Sequence, residues 1–209
     1  MNASTPVVIF KNTDIVFGDK PKSALPLIDA GKTRQEIQAE TGQILGVTGA
    51  SFEVHEGEVI VLMGLSGSGK STLLRAVNGL NPVIRGEVQV HDGTRYINPE
   101  TCSESDLRAL RRHRIGMVFQ QFGLLPWRTV AENVGLGLEL AGMPQKERAA
   151  KVQAQLKLVG LTGWGEKYVH ELSGGMQQRV GLARAFATDA PLLLMDEPFS
   201  ALDPLIRDK

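Results

Sequence analysis

Residues Glu58 to Ser71 read EVIVLMGLSGSGKS, an apolar hexapeptide followed by a glycine-rich octapeptide. The first six residues are rich in β-branched side chains and predict a buried strand. Ser71 to Asn78 predicts a helix, so the octapeptide Gly64 to Ser71 is the turn of a strand, loop, helix unit. Two glycines, a lysine and a hydroxyl stand at the offsets of a phosphate-binding loop. The glycines allow successive backbone N–H groups to curl around phosphate oxygens, the start of the helix adds its partial positive charge, and Lys70 supplies a mobile point charge. Ser71 is placed to put its hydroxyl on Mg²⁺, and Thr72 adds a further donor. The candidate nucleotide contacts here are Gly64, Ser66, Gly67, Ser68, Gly69, Lys70, Ser71 and Thr72. The competing reading is a plain glycine turn between strand and helix.

A second element of the same kind lies about a hundred residues further on. Leu172 to Arg179 reads LSGGMQQR and opens a helix on which Met176, Val180, Ala183 and Ala187 recur at helical spacing. Ser173, Gly174 and Gly175 at that helix start make a second anion-binding candidate, and Ser173 also reads as a simple N-cap. One phosphate loop suffices for an isolated enzyme, so a second such site suggests nucleotide held between two subunits. The apolar run PLLLM then leads into Asp196 and Glu197. If that strand ends beside the phosphate loop, Asp196 holds the water shell of the metal and Glu197 polarises the attacking water.

The rest of the chain supplies the setting. Pro6 to Phe17 and Gly46 to Val54 are turn-bounded and β-branched, predicting strands of an antiparallel sheet. Between them, Pro21 to Gly42 predicts two short helices, the first ended by Gly31 and the second opened by a Thr33/Glu36 capping box and closed by Gly42. Gly86 to His91 alternates as an edge-type strand, and Ile115 to Phe119 is another short strand. Leu107 and Leu110 share one helix face, as do Val152, Leu156 and Val159, with Gly160 placed to end the latter helix. The 209 residues are 42% hydrophobic, enough for one substantial core. A formal net charge of +0 provides no global field toward nucleic acid or an anionic membrane. The dense run Arg108, Arg111, Arg112 and Arg114 reads as a solvated helix face. Cys102 is the single cysteine and cannot form an internal disulfide. Neither a secretory signal nor an apolar run near the roughly 20 residues of a membrane span is expected.

Taken in order, GLSGSGKS, VFQ (118–120), LSGGMQQR, LLLMDE and SALD (200–203) resemble the ATPase subunits of the ABC transporter superfamily, over almost the whole chain. The resemblance implies an α/β fold: a P-loop NTPase with a RecA-like core, an antiparallel β subdomain and an inserted helical signature subdomain at about 122–188. It implies ATP and Mg²⁺ as ligands, Glu197, Gln120 and Lys70 as catalytic groups, and Ser71, Gln120 and Asp196 about the metal. Phe17 lies where the family stacks an aromatic ring on adenine, with a core phenylalanine as the rival reading. Ser200 to Asp203 resembles the loop through which two subunits communicate. The expected assembly is a head-to-tail homodimer in which the phosphate loop of one subunit faces Ser173, Gly174 and Gly175 of the other. Its partners are membrane permease subunits and, indirectly, a periplasmic or lipid-anchored substrate-binding protein, without nucleic acid. The implied location is peripheral, on the cytoplasmic face of the inner membrane.

The segment PKSALPLIDAGKTRQEIQAETGQILGV, which holds most of a helical insertion at 20–45, and the run QQFGLLPWRTV beginning at Gln120 resemble the quaternary-amine importers; the insertion is similar to that of glycine betaine and proline uptake ATPases, and the whole chain is most similar to the choline-uptake branch. Trp127 and Trp164 are assigned to packing or permease contact rather than to an ammonium cage. The family also places a histidine beyond the SALD loop, a role that His55, His91, His113 and His170 do not match. The resemblance therefore implies that the final core strands and this histidine are missing, and that the chain alone is poorly soluble or lacks steady-state turnover. The alternatives are an inactive truncated remnant and a soluble ABC-type ATPase.

Overall fold

The computed structural model describes residues 5–198, and its contacts divide them after Arg108 into two compact units. The SALD motif lies outside the described residues.

The first unit is built on strands β1 (Pro6–Phe17), β2 (Ile44–His55), β3 (Arg85–His91) and β4 (Tyr96–Ile97), which form one antiparallel sheet in the order β2-β1-β3-β4. The expected pair 6–17 and 46–54 is thus present, with β2 slightly longer. Alternation buries Val88 and Val90 of β3 more deeply than the residues beside them, whereas Val8, Ile9 and Phe10 of β1 are all buried. β3 is an inner strand rather than an edge strand. The reason lies in the Asp92 turn: the Asp92 carboxylate accepts the Thr94 and Arg95 N–H groups, reversing the chain so that Tyr96 and Ile97 return along β3. Gly86 has φ 76°, and a Cβ there would stand 2.2 Å from the Asn12 carbonyl oxygen, so β1 and β3 approach too closely for any other residue. The buried Asp14 carboxylate pairs with Arg85 and accepts the Gly49 N–H at 2.7 Å, tying β2 to β1 beyond the ladder.

The segment between β1 and β2 is helical as its caps predict. A 3₁₀ turn (Pro21–Ala24) runs into α1 (Leu25–Asp29), and α2 (Arg34–Thr41) follows. Thr33 and Glu36 form the full capping box, and Gly42 closes α2 at φ 70°. Gly31, also left-handed, follows α1. Ile37 is the buried anchor of α2 and packs with Val16, Ala24 and Leu45, so the insertion is fixed to the sheet by apolar contact.

The expected strand at EVIVLM does not form. Residues 58–63 carry no ladder, and Val59 and Met63 are 89% and 87% exposed. Hydrophobic sequence alone does not make a strand: its backbone N–H and C=O groups require a neighbouring strand, and among the described residues none pairs with this one. The phosphate-loop sequence therefore enters from a segment without regular secondary structure and leaves into α3 (Lys70–Ala76).

Helix α4 (Glu104–His113) spans the division and carries Leu110 as its buried residue. In the second unit β5 (Ile115–Val118) and β6 (Leu192–Met195) pair in parallel, from Ile115 with Leu192 to Val118 with Met195. Parallel neighbours need a long crossover, and here the crossover is helical. It contains α5 (Val130–Val134), α6 (Leu136–Leu140), α7 (Gln145–Leu158) and α8 (Gly174–Ala187). Val130, Val134, Leu138, Val152, Leu156, Leu161, Val180 and Ala183 make its core. No described helix is long and apolar enough to cross a membrane.

Candidate functional site

In the first unit the phosphate loop is shaped by backbone geometry that its glycines permit. Gly67 and Gly69 hold φ of 76° and 101°, left-handed values that a side chain resists. The Ser68 N–H donates to the Leu65 carbonyl at 3.2 Å, closing a turn inside the loop. The Lys70 ammonium donates to the Gly64 and Leu65 carbonyls at 2.8 and 2.9 Å, so its charge lies over the loop that it is expected to serve. Ser66, Gly67 and Ser68 are exposed, and Ser71 and Thr72 form the first turn of α3.

The loop is seated on β2 through two glycines. A Cβ on Gly69 would stand 2.4 Å from the Gly46 carbonyl oxygen, and a Cβ on Gly46 would meet the Phe17 ring and the Thr72 methyl at 3.0 Å each. Phe17, half-buried at the end of β1, therefore lies beside the start of α3. Its sequence position alone leaves it 55 residues from Thr72; Gly46 is what brings the two together.

In the second unit Gln120 and Glu197 meet. The Gln120 amide donates from Nε2 to Glu197 Oε2 at 2.7 Å, across 77 residues of sequence. The contact follows from the parallel pairing of β5 with β6, since both residues stand just beyond the C-terminal ends of those strands. Asp196, one residue before Glu197, is buried at 4% exposure, and its N–H donates to the Val118 carbonyl at 3.0 Å. Glu197 stays exposed and has φ 49°, uncommon for a residue with a side chain and typical of functional turns.

Two residues that the sequence reading did not single out hold the Gln120 loop. Phe122 and Gly123 have successive left-handed φ of 57° and 55°, and the Arg184 guanidinium on α8 donates to both of their carbonyls at 2.6 and 2.7 Å. Burial pushes the Arg184 pKa down from its ordinary value. Further along, fully buried Asn133 accepts the Leu125 N–H and donates to the Leu125 and Thr129 carbonyls. Arg184 lay in plain sight after LSGGMQQR, but nothing in local spacing says which carbonyls a guanidinium will find. Trp127 lies in the stretch so held and is 71% exposed, so it is not a packing residue.

At the start of α8, Ser173 Oγ accepts the Met176 N–H at 3.4 Å, and the reading of Ser173 as an N-cap is correct. Gly174 and Gly175 face open space: a Cβ on either would meet no atom within 4 Å. The first turn of this 14-residue helix thus presents backbone unobstructed by side chains.

The oxygen donors expected about the metal suit a hard cation. Ser71 offers a hydroxyl and Asp196 a carboxylate. Gln120 keeps its amide oxygen available, because its contact with Glu197 is made through Nε2. Oxygen donors of these kinds suit Mg²⁺ rather than a soft transition metal.

A family profile described as ABC transporter matches residues 47–200. The chain is 52% identical over 192 residues to the glycine betaine transport ATP-binding protein OpuAA of Bacillus subtilis (strain 168), covering 92% of this chain and 45% of that protein. It is 49% identical over 197 residues to the glycine betaine/proline betaine transport system ATP-binding protein ProV of Escherichia coli (strain K12), covering 94% of this chain and 48% of that one. The chain thus spans about half the length of the curated relatives it matches. Among solved structures, the dimeric post-hydrolysis state of the ATP-binding cassette MJ0796 bound to ADP and Pi superposes with a TM-score of 0.78 at 32% identity, covering 96% of this chain and 78% of that one. The matched span runs from β2 to beyond the acidic pair after β6 and takes in the phosphate loop, the Gln120–Glu197 pair and the start of α8, so this chain belongs to the ABC transporter family of ATP-binding proteins.

Proposed function

We propose that this chain is the ATP-binding and ATP-hydrolysing part of an ABC importer for a quaternary amine, glycine betaine or choline. The observation that carries the catalytic reading is the 2.7 Å contact between Gln120 and Glu197 at the ends of two parallel strands. The betaine reading rests on the names of the relatives and on the likeness of the inserted segment, and choline only on the likeness of the whole chain to the choline-uptake branch. No residue described here selects the amine; that choice belongs to a permease and a substrate-binding protein.

In this reading Phe17 stacks on adenine, and the backbone from Gly64 to Gly69 wraps the phosphates with Lys70 between them. Bound Mg²⁺ would neutralise phosphate charge, with Ser71, Gln120 and Asp196 about it. Glu197 accepts a hydrogen bond from the attacking water and draws off its proton as oxygen adds to the γ-phosphorus. The bond to the β-phosphate oxygen then breaks, releasing ADP and phosphate. Gln120, already bonded to Glu197, keeps that carboxylate aimed. Ser173, Gly174 and Gly175 would close over nucleotide held by the phosphate loop of a second subunit, head to tail. Preferential binding of ATP to the closed pair supplies the work. Trp127, exposed on a firmly held loop, is the proposed contact with the permease on the cytoplasmic face of the inner membrane. Within this domain, residues 20–45 form the insertion and about 122–188 the signature subdomain.

The test is Glu197→Gln in the protein reconstituted with its permease. MgATP binding should persist while phosphate release falls by about 10² to 10⁴-fold, the usual contribution of a general base. Unchanged turnover would refute the assignment.

A further inference from the structure

Helix α2 belongs to the inserted segment, yet its first residue reaches the phosphate loop. Arg34 Nη1 donates to the Gly67 carbonyl at 2.6 Å, and Nη2 donates to the Ser68 and Gly46 carbonyls at 3.0 and 2.8 Å. One planar fork thus holds two consecutive carbonyls of the loop and the β2 carbonyl against which Gly69 is packed. We propose that Arg34 is a positioning residue for nucleotide binding, through which the insertion holds the phosphate loop in its binding shape; this rests on the reading of that loop as the ATP site.

The physical reason is peptide planarity. In a trans peptide the C=O and the following N–H point in opposite directions. Holding the Ser68 carbonyl toward α2 therefore directs the Gly69 N–H away from α2. The same holds for the Gly67 carbonyl, whose following N–H closes the internal turn with Leu65. Gly67 and Gly69 are the residues whose left-handed φ the loop needs, and they are also the ones with the most conformational freedom to lose. A clamp on either side of Ser68 removes that freedom before nucleotide arrives, so less ordering cost falls on binding.

The clamp is itself anchored. Thr33 and Glu36 fix the start of α2, buried Ile37 fixes its body, and the Glu36 carboxylate is taken up by the capping box and Lys32. Among the described residues no acidic side chain pairs with Arg34, so its charge is left to act on the loop and on what the loop holds.

The experiment compares Arg34→Ala, Arg34→Lys and Lys70→Ala in the purified full protein, with titration of a fluorescent ATP analogue in the presence of Mg²⁺, steady-state KM and kcat, and thermal midpoints without nucleotide. Arg34→Ala should weaken analogue binding about tenfold, equivalent to about 1.4 kcal/mol, and raise KM by a larger factor than it lowers kcat. The thermal midpoint of the unliganded protein should hold to within about two degrees, since Arg34 is exposed and α2 keeps its core contact. Arg34→Lys should recover only part of the affinity, because an ammonium cannot fork across three carbonyls. Wild-type affinity in Arg34→Ala, full recovery in Arg34→Lys, or a loss of affinity matched by a falling thermal midpoint would each overturn the proposal. If Lys70→Ala also binds the analogue normally, the phosphate loop is not the nucleotide site and the underlying reading falls with it.

Discussion

Replacing Gly69 by alanine adds one methyl group at the point where the phosphate loop rests on β2. That methyl would stand 2.4 Å from the Gly46 carbonyl oxygen and 3.1 Å from a Val47 methyl, and φ at this position is 101°. A residue with a side chain held at such a φ costs about 1–3 kcal/mol, and overpacking costs a further 1–3 kcal/mol or so. The sum of roughly 2–6 kcal/mol need not be met by the core of the fold, because the exposed loop from Ser66 to Ser68 can shift away from β2 at the expense of its Arg34 hydrogen bonds. Lifting relieves the clash but carries the phosphate-binding N–H groups out of register. The strain should therefore emerge as lost affinity. At about 1.4 kcal/mol per factor of ten, even the lower half of that range weakens nucleotide binding by roughly 30-fold or more. Titration of a fluorescent ATP analogue with Mg²⁺ measures this directly, and urea unfolding of the unliganded protein should show a loss of no more than about 1 kcal/mol. An alanine variant that binds within about threefold of wild type would refute the reasoning, since it would mean that the seat on β2 does not control the loop.

Arg184→Ala should cost about 1–3 kcal/mol in urea unfolding, because it strands the part-buried Phe122 carbonyl while the exposed Gly123 carbonyl turns to water, and a loss below about 0.5 kcal/mol would contradict this. Arg184→Lys should recover less than half of that loss, since one ammonium does not span both carbonyls in the same geometry. For Asp92, hydrogen bonds from the Arg95 and Thr94 backbones and the Thr94 hydroxyl hold the carboxyl at about 2 against an ordinary 3.8. Because the folded value is depressed, the stability it contributes is complete above pH 3.8 and disappears as pH falls through 2. Carboxyl NMR should find the low midpoint, with the Tyr96–Ile97 amides losing protection over the same interval; an ordinary midpoint would show that the turn is not held this way.

The capping box at Thr33 and Glu36, the left-handed closure at Gly42 and the N-cap at Ser173 were legible because each is a contact over three or four residues, within the reach of local pattern. The EVIVLM segment was misread for the complementary reason. Its composition suits a strand, but a strand exists only through its neighbour, and neighbours are a property of the fold. β3 was misjudged as an edge on the same ground, since the two-residue strand that covers it is too short to announce itself. Within the site, residue types were readable and their meetings were not. Gln120 and Glu197 stand 77 residues apart, Arg184 lies about 60 residues from the carbonyls it holds, and Arg34 lies 33 from Gly67.

By itself, then, the sequence determined which chemistry the chain can offer: a lysine and hydroxyls set in a glycine loop, a serine-capped helix with an open first turn, and two acids at a strand end. Those are choices of residue type at fixed short spacing, and short spacing is enforced by covalent geometry. The tertiary structure decided which groups act together and which backbone is held still. Gln120 reaches Glu197 because β5 and β6 run parallel, Phe17 lies beside the start of α3 because Gly46 has no side chain, and the loop itself is gripped by an arginine from an inserted helix. Long-range contacts of this kind depend on packing and on hydrogen-bond partners brought together by the whole chain, and no local pattern encodes them.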